Sequence, residues 1–440
     1  MKMERVGRSK VMITNRTKGF CGLLALLALT ACSSNQNEGT SDSHLWHVTL
    51  NASMGDAATR ALSEGENNVL TASFAENDEV VVVAAGGNTI GKLTAKTAGA
   101  STTLEGTLDA TTLTAGEVVK LHYRSATANY DGQYGTLSGI AANQDYAVGT
   151  LTVKTRDPLT FESNSVTLDA QQSITKFSFT DGSNDVSVHT FGIAATGLVQ
   201  RITTNGTETV GAVTGTLPTP STKVYVALRN RSNILQTYSF YIQDNSGNWY
   251  TGTKRANLEN GSNYAATVAL TKLNNLTADS EVGTIGVLDG RPAIVANIKS
   301  KKKAVALMND GALCPEAYGT YHAFDNAWTG SASGWYVPTK DELDNLDGNS
   351  YTWTEQNGVK GCSFTLGSNT LFLPAAGFYD NQYVPNILSD ADTDGYYWSS
   401  TSSGTNLAIN LNFNAGETPN YTSSDYQVDY LSVRRFHVLP

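Results

Sequence analysis

The stretch Asp78-Glu79-Val80-Val81-Val82-Val83-Ala84 predicts the fold class of this chain. Its four consecutive valines form a short apolar run of β-branched side chains, which is typical of a strand buried on both faces. Gly86-Gly87-Asn88 follows as a turn, and residues 89–94 then resemble the returning strand of a hairpin. We therefore expect a β-hairpin over residues 78–94.

The same pattern of short strands and turns fills much of the chain. Leu45-Trp46-His47-Val48-Thr49-Leu50 alternates as a strand, and so does Ile174-Thr175-Lys176-Phe177-Ser178-Phe179. Further strands are expected at 101–108, 117–124, 136–139, 145–152, 223–228, 238–242, 249–250 and 264–270. Short strands roughly 8–12 residues apart are typical of a sandwich or barrel, so we expect a mainly β protein.

The N-terminal residues carry an export signal. Six basic residues precede the apolar run 20–29, which is about half as long as the ~20 residues that a membrane-crossing helix needs. Leu29-Thr30-Ala31-Cys32 follows, and a polar stretch comes next. This order resembles the lipobox of bacterial lipoproteins. The resemblance implies a signal peptide at 1–31, acylation of Cys32 and a tether at 32–44 that holds the chain to the outer membrane or cell surface.

The charge balance excludes one class of partner. The chain has 30 Lys+Arg and 40 Asp+Glu, and removing residues 1–31 takes away six basic residues and one acid, which leaves a formal charge of −15. A surface this acidic argues against nucleic acid and against electrostatic docking on anionic lipid. The lipid on Cys32 is therefore the expected link to the membrane.

Several short motifs between residues 45 and 273 match a known family in order and spacing. They are Ala58-Thr59-Arg60-Ala61, Asn77-Asp78-Glu79-Val80, Gly106-Thr107-Leu108, Tyr130-Asp131-Gly132-Gln133-Tyr134-Gly135-Thr136-Leu137, Gln144-Asp145-Tyr146 and Leu258-Glu259-Asn260-Gly261-Ser262-Asn263-Tyr264. Together they resemble the fimbrillins, pilin-related lipoproteins of Bacteroides-type bacteria. The resemblance implies two transthyretin-like β-sandwiches, at 45–157 and 158–275, and other fimbrial subunits as partners.

The fimbrillin resemblance also assigns a role to Arg60. This residue lies in a polar segment after the first strand, where exposed chain is open to proteases. In fimbrillins, cleavage after such an arginine removes the first strand and opens a groove for a partner's donor strand, a form of β-augmentation. Residues 45–52 would be the removable strand here, and the processed protein would belong to a fimbrium. The alternative is a subunit that keeps this strand.

The third region, 276–440, differs from the first two in its motifs and contains a helix signal. Thr339-Lys340-Asp341-Glu342-Leu343 has capping-box spacing and predicts a helix. Its other motifs are Gly334-Trp335-Tyr336-Val337-Pro338, Phe372-Leu373-Pro374-Ala375-Ala376-Gly377, Tyr396-Tyr397-Trp398-Ser399-Ser400-Thr401 and Ser432-Val433-Arg434. In this order they resemble a bacterial C-type-lectin-like domain. The resemblance implies a small α+β fold with paired termini and long binding loops.

One segment of the third region suggests a metal. Asp390-Ala391-Asp392-Thr393-Asp394-Gly395 matches the first half of a calcium loop, with Asp390, Asp392 and Asp394 as candidate ligands. Thr401 occupies the position where a full EF-hand loop has its bidentate Glu. An Asp/Gly turn that leads into a strand is the alternative, because Asp favours turns through its own hydrogen bonds. No other cofactor is predicted.

Candidate ligand contacts and cysteines complete the set of predicted site residues. Trp335 and Trp398 sit in motif positions that suit core packing, whereas the loop residues Trp328, Trp353, Tyr379 and Tyr383 are the better candidates for exposed contacts. Outside the export signal the chain has Cys314 and Cys362, which are either a disulfide of an oxidising compartment or two buried thiols.

The sequence favours a structural and binding protein over an enzyme. It has no Gly-x-Ser-x-Gly elbow, no His-Glu-x-x-His and no phosphate-binding glycine loop. We expect a fimbrial subunit, with a tip or accessory position favoured because a folded domain reaches Pro440. Its third region would bind a host or bacterial glycan or protein. The alternative is a surface lipoprotein that binds such a ligand and never polymerises.

Overall fold

Strands joined by tight turns make up most of the chain, as its alternation predicts. The computed structural model describes residues 44–55, 73–324, 334–346 and 350–440, which belong to one compact unit. The predictions for the signal peptide, Cys32, Arg60 and Trp328 lie outside the described residues.

The first sheet is a ring of strands. Its elements are β1 (Leu45–Met54), β2 (Glu79–Val83), β3 (Thr89–Ala95), β4 (Ser101–Asp109), β5 (Val118–Tyr123), β7 (Ala147–Arg156), β8 (Leu159–Phe161) and β9 (Ser165–Ala170), with β6 (Ala128–Asn129) and α1 (Leu137–Asn143) in the crossing before β7. The order is β5-β2-β3-β4-β1-β9-β7-β8, and β5 also pairs with β7, so the ring closes. The valines of β2 are buried as predicted, and β2 and β3 form the predicted hairpin.

The second sheet repeats one arrangement of the first. Its strands are β10 (Ser173–Asp181), β11 (Asn184–Asp185), β12 (Val188–Ala194), β13 (Leu198–Ile202), β14 (Glu208–Val210), β15 (Val213–Ser221), β16 (Lys223–Asn230), β17 (Gln236–Asp244), β18 (Trp249–Ala256) and β19 (Asn263–Lys272). The short strand β6 also belongs to this sheet, because it pairs with β13. β10 lies between antiparallel β16 and parallel β19, just as β1 lies between antiparallel β4 and parallel β9. The sequence motifs did not reveal this structural repeat.

The described part of the third region contains four small sheets. Its elements are β20 (Ile285–Leu288), β21 (Arg291–Ile298), β22 (Lys301–Ala306), β23 (His322–Ala323), α2 (Lys340–Asp344), β24 (Tyr351–Gln356), β25 (Val359–Leu366), β26 (Asn369–Pro374), β27 (Phe378–Tyr379), β28 (Leu388–Ser389), β29 (Asp394–Ser402), β30 (Leu407–Asn414), β31 (Asn420–Tyr426), β32 (Tyr430–Leu431) and β33 (Phe436–Val438). β22 pairs with β33, so the two ends of the region meet in one sheet. α2 begins with the predicted capping box of Thr339 and Glu342.

Two expectations about the first half of the chain are corrected. Residues 136–139, predicted as a strand, start helix α1, because the Thr136 hydroxyl accepts the Gly139 N–H at 3.0 Å and caps its N-terminus. The strand β9 lies beyond residue 157 but pairs with β1 and β7, so the first sheet extends to Ala170.

A clasp of residues 130–136 joins the first two sheets. The buried side chain of Gln133 donates to the carbonyls of Tyr130 and Ala227 and accepts the Ala227 N–H. The Asp131 carboxylate accepts the backbone and side-chain donors of Thr214. This part of the fimbrillin-like motif therefore fastens the crossing between β5 and β7 to the second sheet, because its buried polar groups are bonded across the boundary.

The second sheet and the third region share a core. Trp249 of β18 packs among side chains of the third region and donates its indole N–H to the Gly290 carbonyl at 2.9 Å. Ala194 and Ala212 pack against Cys314 and Ala317. At Gly192 of β12 the backbones approach so closely that a Cβ would lie 2.6 Å from the Leu313 oxygen. The third region is thus packed directly onto the second sheet.

We predict that Gly192→Ala destabilises the protein by about 1–3 kcal/mol, since the added methyl group overpacks this boundary. Denaturant unfolding of the full chain measures the loss. Gly86→Ala is the matched control, because the nearest atom to its new Cβ would be 3.9 Å away, and it should change stability by less than about 0.5 kcal/mol. Equal effects of the two substitutions would contradict the prediction.

Candidate functional site

β1 is the first candidate site because both of its edges are paired. It pairs with β4 in antiparallel register from Leu45 to Ser53, and with β9 in parallel register from Asn51 to Met54. Removing it from the ring would leave backbone donors and acceptors unpaired on both neighbours, which is the condition that recruits another strand.

The side chains of β1 alternate between core and solvent. Val48, Leu50, Ala52 and Met54 are buried in the core of the first sheet, whereas Thr49 is exposed. Full burial of a side chain such as leucine contributes about 1.5–3 kcal/mol. The strand therefore fills an apolar groove as well as completing the hydrogen bonding.

The end of β1 leads towards the predicted cleavage site. The Gly55 N–H donates to the Leu168 carbonyl at 2.8 Å, and the chain then enters residues 56–72, which lie outside the described residues and contain Arg60. The described chain that follows β1 therefore ends at Gly55, five residues before Arg60.

The predicted ligand contacts divide into buried and exposed positions. Trp353 is half-buried and packs against Phe413 in the core, so the prediction of an exposed contact is wrong for this residue. Tyr379 is half-buried, with its ring edge-on to Tyr321 at 5.0 Å. Tyr383 is 68% exposed, as predicted. Trp335 and Trp398 are buried, as their motif positions suggest.

Tyr383 belongs to an apolar surface that sequence reasoning largely missed. The loop between β27 and β28 also exposes Val384 and Ile387, and the segment next to β32 exposes Val428 and Tyr430. The turn Val384-Pro385-Asn386 was the available signal, since a proline turn can present apolar neighbours to solvent. We call these five residues the apolar rim.

The candidate calcium ligands do not converge. Asp390 and Asp392 have positive φ values of 59° and 65°, and their carboxylates accept the hydroxyls of Tyr396 and Tyr318. The Asp390 carbonyl accepts the Asp394 N–H at 2.9 Å, which closes a turn before β29. Among the described residues no three acidic, His or Cys side chains form a metal-binding group. The Asp/Gly turn is the alternative that the structure supports.

Cys314 and Cys362 are buried thiols, and no disulfide joins them. They occupy separate clusters, Cys314 at the boundary with the second sheet and Cys362 in the main core of the third region. Burial raises the pKa of the Cys314 thiol well above its ordinary value. Of the two alternatives, the structure therefore supports two buried thiols over a disulfide, because each side chain packs in a different part of the core.

Three carboxylates lie together beneath the apolar rim. Asp425 receives a hydrogen bond from the buried amide of Asn410 at 2.8 Å. Burial, followed by the nearby Asp429 and Asp380, raises the pKa of Asp425 to about 6. Asp380 and Asp429 accept backbone N–H groups of the loop that follows β27, so this cluster also fixes the loop.

Two of the comparisons with known proteins give no match. No protein-family model and no curated protein matches the chain. In the described residues, no helix is both long and apolar enough to cross a membrane.

Several solved structures of fimbrial, pilin or adhesion proteins are similar to parts of the chain. A Bacteroides ovatus protein named for a proposed role in cell adhesion is 14% identical, with 51% of this chain and 95% of that one covered and a TM-score of 0.29. The Porphyromonas gingivalis tip fimbrial protein Mfa3 is 9% identical, with 48% and 81% covered and a TM-score of 0.26. Shaft pilin SpaA of Lactobacillus rhamnosus GG is 13% identical, with 53% and 99% covered and a TM-score of 0.24. Similarities this low do not establish a family.

We predict that Asp425→Asn stabilises the protein at pH 7.5 by about 1–2 kcal/mol. The folded pKa of Asp425 lies above the ordinary value, so its contribution to stability falls as the pH rises from about 4 to about 6. Unfolding free energies at pH 4.5 and 7.5 measure the change. Asp279→Asn, at an exposed site, is the control, and an unchanged pH dependence in Asp425→Asn would contradict the prediction.

Proposed function

We propose that this chain is the lipid-anchored precursor of a cell-surface fimbrial subunit or tip adhesin. Its first two regions would be transthyretin-like sandwiches that assemble with other subunits by donor-strand exchange. The third, C-type-lectin-like region would bind a host or bacterial ligand. The position of β1 between β4 and β9 is the observation that carries this proposal.

Donor-strand exchange requires a strand that can be replaced without loss of the fold. Loss of β1 would open the edges of β4 and β9 and empty the groove now filled by Val48, Leu50 and Met54. A strand from another subunit that alternates in the same way would restore both the ladder and the apolar contacts. The clasp at Gln133 lies outside this groove, so the link to the second sheet would survive the exchange.

Processing would couple delivery to assembly. A cut after Arg60 would separate residues 61–440 from everything before them, which includes the acylated Cys32 and β1. The lipid would thus hold the precursor at the membrane. The cut would sever the covalent link between β1 and the rest of the subunit, so that a donor strand could then displace β1 from the groove.

The alternative is a surface lipoprotein that keeps β1 and never polymerises. The extensive pairing of β1 and its four buried side chains favour this candidate, because a strand so well integrated does not leave spontaneously. Processing at Arg60 distinguishes the two.

We predict that protein sheared from cells as fibres starts at Ala61, because cleavage must precede exchange. N-terminal sequencing measures the start, and Arg60→Ala should abolish both the cut and the fibres. Arg156→Ala changes an exposed arginine of the first sheet and should assemble normally. Fibres whose subunits start at lipidated Cys32 would overturn the proposal.

We predict that a synthetic peptide of Leu45–Met54 binds the protein after cleavage at Arg60 and release of β1. Substituting Leu50→Ser in the peptide should weaken binding by roughly 10-fold or more, since a buried side chain contributes about 1.5–3 kcal/mol. Thr49→Ser, on the exposed face, is the control. Fluorescence polarisation measures both, and equal affinities of the two peptides would contradict a groove of this register.

A further inference from the structure

A cleft lies where the second sheet meets the third region. Its volume is about 990 Å³, and it opens to solvent between β13–β15 and two segments of the third region, the loop between β22 and β23 and the residues around β27 and β28. Clefts at domain boundaries of roughly this size are common ligand sites. Two residues predicted from the sequence line it, Tyr379 as a ligand contact and Asp392 as a calcium ligand, but no motif predicted a cleft that brings them together.

The aromatic wall of the cleft is fixed before any ligand arrives. The Tyr318 hydroxyl donates to Asp392, and the Tyr321 hydroxyl donates to the Ala376 carbonyl. The ring of Tyr379 packs edge-on against Tyr321, and Tyr430 completes the wall with 39% of its surface exposed. Tyrosine rings held by such contacts lose little further conformational entropy when a ligand stacks on them.

The polar groups of the cleft include donors and acceptors close together. Arg201 of β13 is exposed and has no ion-pair partner among the described residues. It lies near enough to Tyr321 to oppose the rise in pKa that burial causes there. Asp131 and Asp392 are each held by a protein donor and keep lone pairs for a second one.

The buried Glu316 holds one wall of the cleft in place. Its Oε1 atom accepts the side-chain amides of Gln356 and Asn357, whereas its Oε2 atom has no hydrogen-bond partner among the described residues. Burial raises the pKa of this carboxyl. The other two acidic residues that line the cleft are Asp131 and Asp392.

We propose that this cleft binds an uncharged oligosaccharide. Sugar hydroxyls both donate and accept, so they could accept from Arg201 and donate to the two aspartates, while pyranose faces stack on the tyrosine rings. An acidic glycan would meet Asp131 and Asp392 in a chain whose net charge is already negative. The inference rests on the adhesive part of the proposed function and is independent of strand exchange.

The test uses the full chain in detergent on an array of neutral oligosaccharides, both host-type and bacterial, each beside its sialylated or uronic-acid counterpart. We expect binding to a neutral oligosaccharide in preference to its acidic counterpart. Titration calorimetry then quantifies the best neutral ligand, and the source of that ligand distinguishes host from bacterial recognition. Absence of binding to every neutral glycan, or preference for the acidic partner, would overturn the inference.

Variants locate the binding in the cleft. Arg201→Ala should weaken affinity by about 10- to 100-fold, because a hydrogen bond from a charged donor is lost. Tyr379→Phe keeps the ring and should lose less than Tyr379→Ala. Arg156→Ala is the matched control for charge, and thermal unfolding checks that each variant folds. Unchanged affinity in Arg201→Ala and Tyr379→Ala would place the ligand elsewhere. Fibre assembly is scored separately, so either proposal can fail alone.

Discussion

The close approach of the second sheet to the third region is the constraint on which the rest of the structure depends. At Gly192 the chain tolerates no Cβ, and at Gly358 a Cβ would lie 2.4 Å from the Thr196 oxygen, in a backbone with a φ of +84°. Such contacts allow backbone to pack on backbone over an apolar boundary. The walls of the cleft come from both sides of this boundary, so their spacing follows from it.

The boundary between the first two sheets is also held by close contacts, but these contacts are polar rather than apolar. Gln133 uses its amide donor and acceptor on backbone groups, and Asp131 binds Thr214. Because neither contact involves β1, the first sheet could exchange that strand while it remained attached to the second. The ligand-binding region and the exchangeable strand would therefore be held in one connected structure but would depend on different residues.

Local patterns predicted elements better than they predicted partners. The valine run of β2, the capping box of Thr339 and the burial of Trp398 depend on neighbours in sequence, and each was predicted. Long-range pairing placed β9 in the first sheet and put Trp353 against Phe413, and a single sequence contains no signal for either contact. The candidate calcium ligands do not converge, because turn geometry directs the side chains of Asp390 and Asp392 to tyrosines.

The repeated arrangement of β1 and β10 raises the question of why exchange is proposed for only one of them. β10 makes eight parallel pairs with β19 and six antiparallel pairs with β16, whereas β1 makes four parallel pairs with β9 and nine antiparallel pairs with β4. The parallel edge of β1 is therefore the weaker one. β10 is also continuous with the first sheet before it and the rest of the second sheet after it, so no single cut could free it. A cut after Arg60 would free β1, because it breaks the covalent link between this strand and the rest of its sheet. On the proposal of strand exchange, the first sheet would therefore be the one from which a single cut frees a central strand.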